Sequence, residues 1–243
     1  MKNLILTCCW CCLLVVTSAH AFDKWAGGEK LLLEGIPKNW GTTRVADEIE
    51  VNGLPILIFQ VEGPQALREA AVVIATAWAT DSWKVTSKAA GHEVQIIGVR
   101  DGWLKQANLS SGVSDSNGRT TQGYLSLSDL PTRMKADIDT KAPVLAKHLR
   151  KPSGTVILNE VRTVDKAGES ILTTMTNNFD LEQNIAFYEE DRAAEAWKLS
   201  YRRVSKEDGG TVIKFVSGAD REATYTFTRG AGQTFIVVNW VTR

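Results

Sequence analysis

The chain has 243 residues, and its 28 basic residues balance its 28 acidic residues to a formal net charge of zero. This balance lacks the basic excess that is typical of nucleic-acid-binding proteins, so we predict no nucleic-acid partner. The length is sufficient for two domains of about 100 residues each. Domains of that size bury an adequate core without disulfide bonds.

The N-terminal residues predict a secretory signal peptide over 1–21. Lys2 supplies a positive start, an apolar stretch follows, and Ala19-His20-Ala21 fits a signal-peptidase cleavage pattern. We expect cleavage after Ala21 and a periplasmic or secreted mature protein. The apolar stretch is too short to span a bilayer and no later one is longer, so we predict no transmembrane segment in the mature chain.

All four cysteines of the chain lie within the predicted signal peptide, at Cys8, Cys9, Cys11 and Cys12. We therefore expect a cysteine-free mature chain, without disulfide bonds, zinc thiolates or a thiol nucleophile. An exported protein without disulfides fits a bacterial periplasm better than a eukaryotic extracellular space.

Two segments of the chain match each other without a gap at a spacing of 114 residues. Leu67 corresponds to Leu181, and Trp83-Lys84 corresponds to Trp197-Lys198. Self-similarity at a fixed spacing indicates a repeated structural unit. We predict an α+β fold class with two tandem repeats of a small helix-on-antiparallel-sheet module. The predicted domains are a first α+β module over 22–130, a linker over 131–153 and a second α+β module over 154–243.

The first module begins with a mixed lead-in over 22–52, for which we predict no regular element. An apolar β-type run over 54–61 then precedes a helix from about Gly63-Pro64 to Ser82. The middle of this helix, 70–78, carries no charge, so it is buried on most sides or presents one face to a partner. The predicted strands that follow cover 83–87, 92–100, 103–110 and 122–127, with a polar loop over 111–121.

The second module repeats this order. Strands are predicted over 155–164 and 170–176, and Asp180 with Gln183 three residues later outlines a capping box for the next helix. Glu182, Asp191 and Glu195 are assigned to the hydrated face of that helix. The predicted closing strands cover 198–204, 211–217, 222–229 and 233–241.

Few residues offer catalytic or metal chemistry. The histidines of the mature chain, His92 and His148, are interpreted as a turn residue and as part of a basic cluster at a helix end. The loop around Asp115 lacks the first-position acid and the twelfth-position glutamate of a calcium loop. We predict no catalytic, cofactor-binding or metal-binding residue, and a protein that is not an enzyme.

The tryptophans give the remaining candidate site. Trp83 and Trp197 occupy matching positions, which favours a role in the core. Trp78 corresponds to Arg192, which we interpret as a solvated charge on the second helix. A large aromatic residue at a position that is solvated in the other copy indicates a face of the first helix that is specialised for a partner. The candidate partner-binding residues are Ala71, Ile74, Trp78 and Trp103.

These observations favour a non-catalytic periplasmic adaptor or accessory protein that binds other cell-envelope proteins, in a pilus or secretion assembly. The alternative is a periplasmic protein that binds a small ligand or carbohydrate in a cleft between the two modules. A third hypothesis, a hydrolase with a non-local site, has no residue that singles it out.

Overall fold

The computed structural model describes Trp25 and residues 27–113, 119–129, 149–206 and 209–243. The predicted signal peptide with its cysteines, His148, Asp115 and most of the predicted linker over 131–153 lie outside the described residues. The domain boundaries around that linker therefore stay a prediction.

Three helices and 13 strands are present in the described residues. The helices are α1 (Gly28–Leu33), α2 (Leu67–Thr80) and α3 (Leu181–Ala194). The strands are β1 (Gly41–Arg44), β2 (Glu48–Val51), β3 (Leu54–Gly63), β4 (Lys84–Ala90), β5 (Glu93–Arg100), β6 (Trp103–Val113), β7 (Arg119–Asp129), β8 (Val156–Asp165), β9 (Gly168–Asn177), β10 (Lys198–Val204), β11 (Thr211–Ser217), β12 (Arg221–Gly230) and β13 (Gln233–Thr242). None of these helices has the length and apolar character needed to cross a membrane.

The strands form one antiparallel sheet in the order β10-β11-β12-β13-β9-β8-β2-β3-β7-β6-β5-β4, and β1 pairs with β3. The fold-class prediction of two α+β helix-on-sheet modules is therefore wrong, because the protein is mostly β and both halves contribute to a single sheet. The join is the antiparallel pairing of β2 with β8, which sets Ile49 opposite Thr163. The sequence analysis missed this pairing because β2 has only four residues and its partner, β8, lies beyond the predicted linker.

Each half of the sheet is covered by a 14-residue helix and has its own hydrophobic cluster. The strand order β3-β7-β6-β5-β4 of the first half is the same as the order β9-β13-β12-β11-β10 of the second. Helix α2 packs on the first set of strands and α3 on the second. The buried clusters are separate: one includes Ile74 and Trp78, and the other includes Tyr188 and Tyr225.

The capping box predicted for α3 is confirmed. The Oδ1 of Asp180 accepts a hydrogen bond from the Gln183 backbone N–H at 2.7 Å, and Gln183 Oε1 accepts one from the Asp180 N–H at 3.2 Å. These two bonds satisfy backbone donors that the first turn of a helix leaves free. Helix α2 has Ala66 at this position and begins without a side-chain cap.

Helix α2 begins later than predicted because β3 continues through Gly63, on which the indole of Trp40 packs. A Cβ atom at Gly63 would lie 2.1 Å from Trp40 Cε2, so no larger residue fits there. The indole N–H of Trp40 donates to Gln65 Oε1 at 2.6 Å. A glycine within a strand commonly marks such a close approach. This contact fixes the segment before β1 against the end of β3.

We expect Gly63→Ala to lower the free energy of unfolding by about 1–3 kcal/mol, because the new methyl group must displace the Trp40 ring. Urea denaturation of the mature chain measures this change. Gly41→Ala is the matched control, since its Cβ would lie 3.8 Å from the nearest heavy atom, Glu62 O. Equal unfolding midpoints for the two variants would contradict the proposed packing of Trp40.

Candidate binding surfaces

Three of the four predicted partner-binding residues face the sheet. Ala71 is 9 % exposed, and Ile74 and Trp78 are fully buried in the first hydrophobic cluster. The opposite side of α2 exposes Val72 and Val73 to solvent. The helix is so poor in charge that its sequence periodicity could not distinguish these two sides. A partner that approached α2 would therefore meet the two valines first.

Trp103, the fourth predicted residue, is half-buried at the start of β6. Its ring centroid lies 5.9 Å from that of Trp25, and both rings pack against the first cluster. Trp103 therefore keeps some accessible surface, and whether a partner contacts it stays a prediction.

A buried lysine, which the sequence analysis missed, contacts Trp78 from the sheet. Lys105 shares the buried side of β6 with Ala107 and Leu109 and has no exposed surface. Its Nζ donates to Leu31 O and to Glu34 O, both at 2.8 Å. It also lies 4.5 Å from the centroid of the Trp78 ring. These carbonyls belong to the end of α1, so Lys105 anchors that short helix to the sheet.

Burial lowers the pKa of Lys105 from 10.5 to about 7, although the nearby Glu34 carboxylate acts in the opposite direction. A neutral amine still has two N–H groups, which are enough for both carbonyls. A lysine with such a pKa can serve as a nucleophile. Here its donors are already used by α1, and we interpret Lys105 as structural.

The second half places its buried cation on the helix instead of the sheet. Arg192 occupies the position in α3 that Trp78 occupies in α2, and it is buried, which corrects its interpretation as a solvated charge. Its guanidinium carbon lies 5.7 Å from the Trp197 ring and 5.6 Å from the Trp240 ring. Arginine commonly packs against aromatic faces in this way.

The sheet opposite Arg192 has a small residue where the first half has its lysine. Lys105 and Ala223 are each the third residue of their strands, and their cross-strand partners are Leu127 and Trp240. Both halves therefore contain a buried cation against indole rings. The cation comes from the sheet in the first half and from the helix in the second. This exchange explains why Trp78 corresponds to a charged residue without being a surface residue.

Acidic residues and tyrosines surround Arg192. Its guanidinium pairs with Asp191, and with Glu195 at 2.7 Å, while Arg150 lies 3.2 Å from the other Asp191 oxygen. Asp191 is thus buried rather than on the predicted hydrated face. Burial raises the pKa of the nearby Tyr188 and Tyr225 hydroxyls above the usual range. Burial therefore keeps these two tyrosine hydroxyls protonated across the neutral pH range.

Strands β10 and β4 form the two ends of the sheet in the described part of the chain. Every residue of β10 is exposed. Its large apolar side chains Leu199, Tyr201 and Val204 keep exposed fractions of 52, 45 and 55 %. The opposite end, β4, is smaller and more polar, with the sequence Lys-Val-Thr-Ser-Lys-Ala-Ala.

A depression of about 440 Å³ lies on the side of the first-half sheet that faces away from α2. Its lining includes the side chains of Gln60, Gln95, Asn108, Gln122 and Tyr124. Tyr124 is 52 % exposed. The sequence could not identify this group because its members come from four different strands.

A second depression, of about 290 Å³, lies where the two halves meet, beside the β8–β9 turn. Its lining includes Arg44, Asp47, Asp165 and Lys166. Charges of both signs line it, which does not favour an apolar ligand. His92, at the β4–β5 turn, is exposed, and the described residues contain no cluster of three or more potential metal ligands.

Comparisons with known proteins give no family assignment. No protein-family model matches the chain, and no curated protein matches it significantly. One similar solved structure is the dehydratase domain from the terminal module of the rifamycin polyketide synthase. It is 11 % identical, the match covers 78 % of this chain and 92 % of that domain, and the TM-score is 0.19. A score this low supports no statement about fold or function.

We expect the wild-type free energy of unfolding to rise between pH 7 and pH 9.5, and Lys105→Met to flatten that rise. In this range an unfolded lysine is protonated while the folded Lys105 loses its proton, so the unfolded state binds more protons and folding gains as pH increases. Urea denaturation at several pH values measures this slope. Lys84→Met, on exposed β4, is the control and should retain the wild-type slope. A Lys105→Met slope equal to wild type would contradict the lowered pKa.

Proposed function

We propose that the protein is a non-catalytic exported adaptor or accessory protein that binds another cell-envelope protein by strand addition at β10. The main support is the exposed apolar surface of this edge strand. Strand addition uses the free N–H and C=O groups of a sheet edge for affinity and the alternating side chains for specificity. Natural proteins usually keep large apolar side chains off exposed edges, so an edge strand that exposes Leu199, Tyr201 and Val204 is a candidate interface.

The apolar residues of β10 are available on both faces of the sheet. Leu199 pairs with the buried Phe215, which places it on the helix side, and Tyr201 pairs with Lys214 on the other side. A register shift between these two residues marks a local irregularity in the pairing. An added strand could therefore bury apolar surface on each face while it pairs with the backbone.

The charges at the sheet ends favour an acidic partner over a second copy of the chain. Strand β10 contains Lys198, Arg202 and Arg203, β4 contains Lys84 and Lys88, and neither strand has an acidic residue. Pairing of β10 with either end of another copy would bring the cationic side chains of two strands together, and neither strand has an acidic residue to offset them. We therefore infer that the partner supplies an extended segment in which apolar residues alternate with Asp or Glu.

The setting that we propose is the bacterial periplasm, and the assembly is a pilus or a secretion apparatus. The support is the signal-peptide pattern that ends at Ala21, together with cysteines confined to the segment before it. Components of such assemblies meet their partners after export, where strand addition requires no cofactor.

We expect seven-residue peptides that alternate valine and glutamate to bind the mature protein and to slow amide hydrogen exchange in β10. The reason is that an added strand satisfies the free backbone groups of the edge while its carboxylates lie near Arg203 and Lys198. Fluorescence anisotropy measures the affinity, and exchange detected by NMR locates the site. Arg203→Glu should weaken binding about fivefold, roughly 1 kcal/mol.

Lys88→Glu is the matched control, because it reverses a charge on the other exposed edge, and it should leave the affinity unchanged. Peptides with lysine in place of glutamate should bind more weakly. Slower exchange in β4 but not in β10, or equal affinity for the lysine peptides, would be incompatible with the proposed docking strand.

We expect the exported protein to begin at Phe22 when it is expressed with its own N-terminus in a bacterial host. Cleavage after Ala21 follows from the small residues at Ala19 and Ala21. Intact-mass measurement of the periplasmic fraction tests this, and Ala21→Arg should block processing. Recovery of the full-length chain in the cytoplasm would contradict the proposal of export.

A further inference from the structure

We propose that the open face of the first-half sheet carries a binding site for a neutral oligosaccharide, centred on Tyr124. Four strands bring its polar residues into one row. Gln95 lies opposite Asn108, Asn108 opposite Tyr124, and Tyr124 opposite Gln60. With neighbouring strands about 4.8 Å apart, the row is about 14 Å long. This proposal is independent of the docking strand β10, which lies at the far end of the sheet.

The corresponding row of the second half shows that the fold does not require these residues. There, Val212, Thr226, Val237 and Thr174 lie opposite one another in the same strand order. Valine and threonine are favoured in strands, whereas asparagine is disfavoured. Asn108 of the first half therefore stands where the second half has a residue that suits the sheet better, and a ligand gives a reason for that difference.

A glycine lies in the sheet beside the row. A Cβ atom at Gly123 would lie 2.1 Å from Asn108 O, so β6 and β7 approach each other closely at this point. Gly123 lines the depression together with the row. The glycine thus permits the close approach of the strands at the site.

The lining chemistry selects the class of ligand. Primary amides offer two donors and two acceptors each, which complements a ligand rich in hydroxyl groups. Among the described residues of the lining, Glu93 is the charged one and none is basic, so these residues offer an anionic ligand no cation. An apolar ligand would remove the amides from water without replacing their hydrogen bonds, which is costly. A neutral, polyhydroxylated ligand has neither disadvantage.

Tyr124 supplies the apolar part of the contact. Pyranose rings have faces of C–H groups as well as hydroxyl edges, and an exposed aromatic ring packs against such a face while its hydroxyl remains able to hydrogen-bond. Within the row, Gln95 Nε2 donates to Asn108 Oδ1 at 3.1 Å, which orients both amides beside the ring. The remaining amide donors and acceptors are exposed towards the depression.

The test is NMR titration of the mature protein with maltohexaose, cellohexaose and chitohexaose as neutral probes and hexagalacturonate as the acidic probe. We expect at least one neutral hexasaccharide to shift the side-chain amide signals of Gln95 and Asn108, and hexagalacturonate to shift them less. Tyr124→Val with Asn108→Thr, which installs the residues of the second half, should weaken binding by roughly tenfold or more.

Tyr201→Ala is the matched control, because Tyr201 is a similarly exposed tyrosine on β10, and it should leave saccharide binding unchanged. The same control should weaken binding of the valine–glutamate peptides, so failures of the two proposed sites are distinguishable. Absence of shifts with all three neutral probes would overturn the saccharide site, as would unchanged binding in the Tyr124→Val, Asn108→Thr variant.

Discussion

The antiparallel pairing of β2 with β8 makes one sheet from strands of both halves of the chain. Strand β2 pairs with β8 over four residues and with β3 over two, so it connects the second-half strands to β3. The turn after β2 strengthens the join, because the Asn52 side chain accepts a hydrogen bond from the Glu160 N–H and the Asn52 N–H donates to Glu160 O, both at 2.8 Å. Across the join, Arg162 of β8 lies 3.9 Å from the Glu50 carboxylate and 4.0 Å from the Glu48 carboxylate of β2. The continuity of the fold therefore depends on a short segment near its middle.

The two halves also differ in which element supplies the buried cation that packs against tryptophan in the core. In the first half a sheet lysine lies against a helix tryptophan, and in the second a helix arginine lies against the sheet residue Trp240 and against Trp197, which precedes β10. The lysine donates to backbone carbonyls, whereas the arginine pairs with carboxylates. One topology thus accommodates two cores in which the buried cation has different partners.

Most elements within each half could be predicted from local patterns. The bounds of β10 and β11 agree with the predicted 198–204 and 211–217, because turn residues flank runs of strand-forming residues. What the sequence could not provide was long-range pairing, since nothing in Glu48–Val51 indicates β8 as its neighbour. Hydrophobic periodicity also failed to place Lys105 and Arg192 in the core. It assigns apolar residues to the buried side of an element and charged residues to the exposed side, whereas these two residues are charged and buried.

The candidate sites were harder to predict for the same reason. The row around Tyr124 exists through cross-strand register, and each of its residues looks like an ordinary surface residue in its own strand. The predicted face of α2 was plausible by composition, but an uncharged helix gives no sign of which side the sheet will cover. Edge strands likewise become edges only once the strand order is known.

The strand order has one further consequence, for the solution behaviour of the molecule. A sheet with two free ends can grow, because an end-to-end contact between unlike surfaces does not close on itself and propagates into a filament. Here neither end strand contains an acidic residue and both carry cationic side chains. Of these, Arg202 is paired with Glu182 and Glu189 of α3, so the remaining cations of successive copies repel where the strands would have to meet. Raising the ionic strength screens that repulsion. Concentrated salt is therefore the condition under which this protein would be most prone to fibrillar growth.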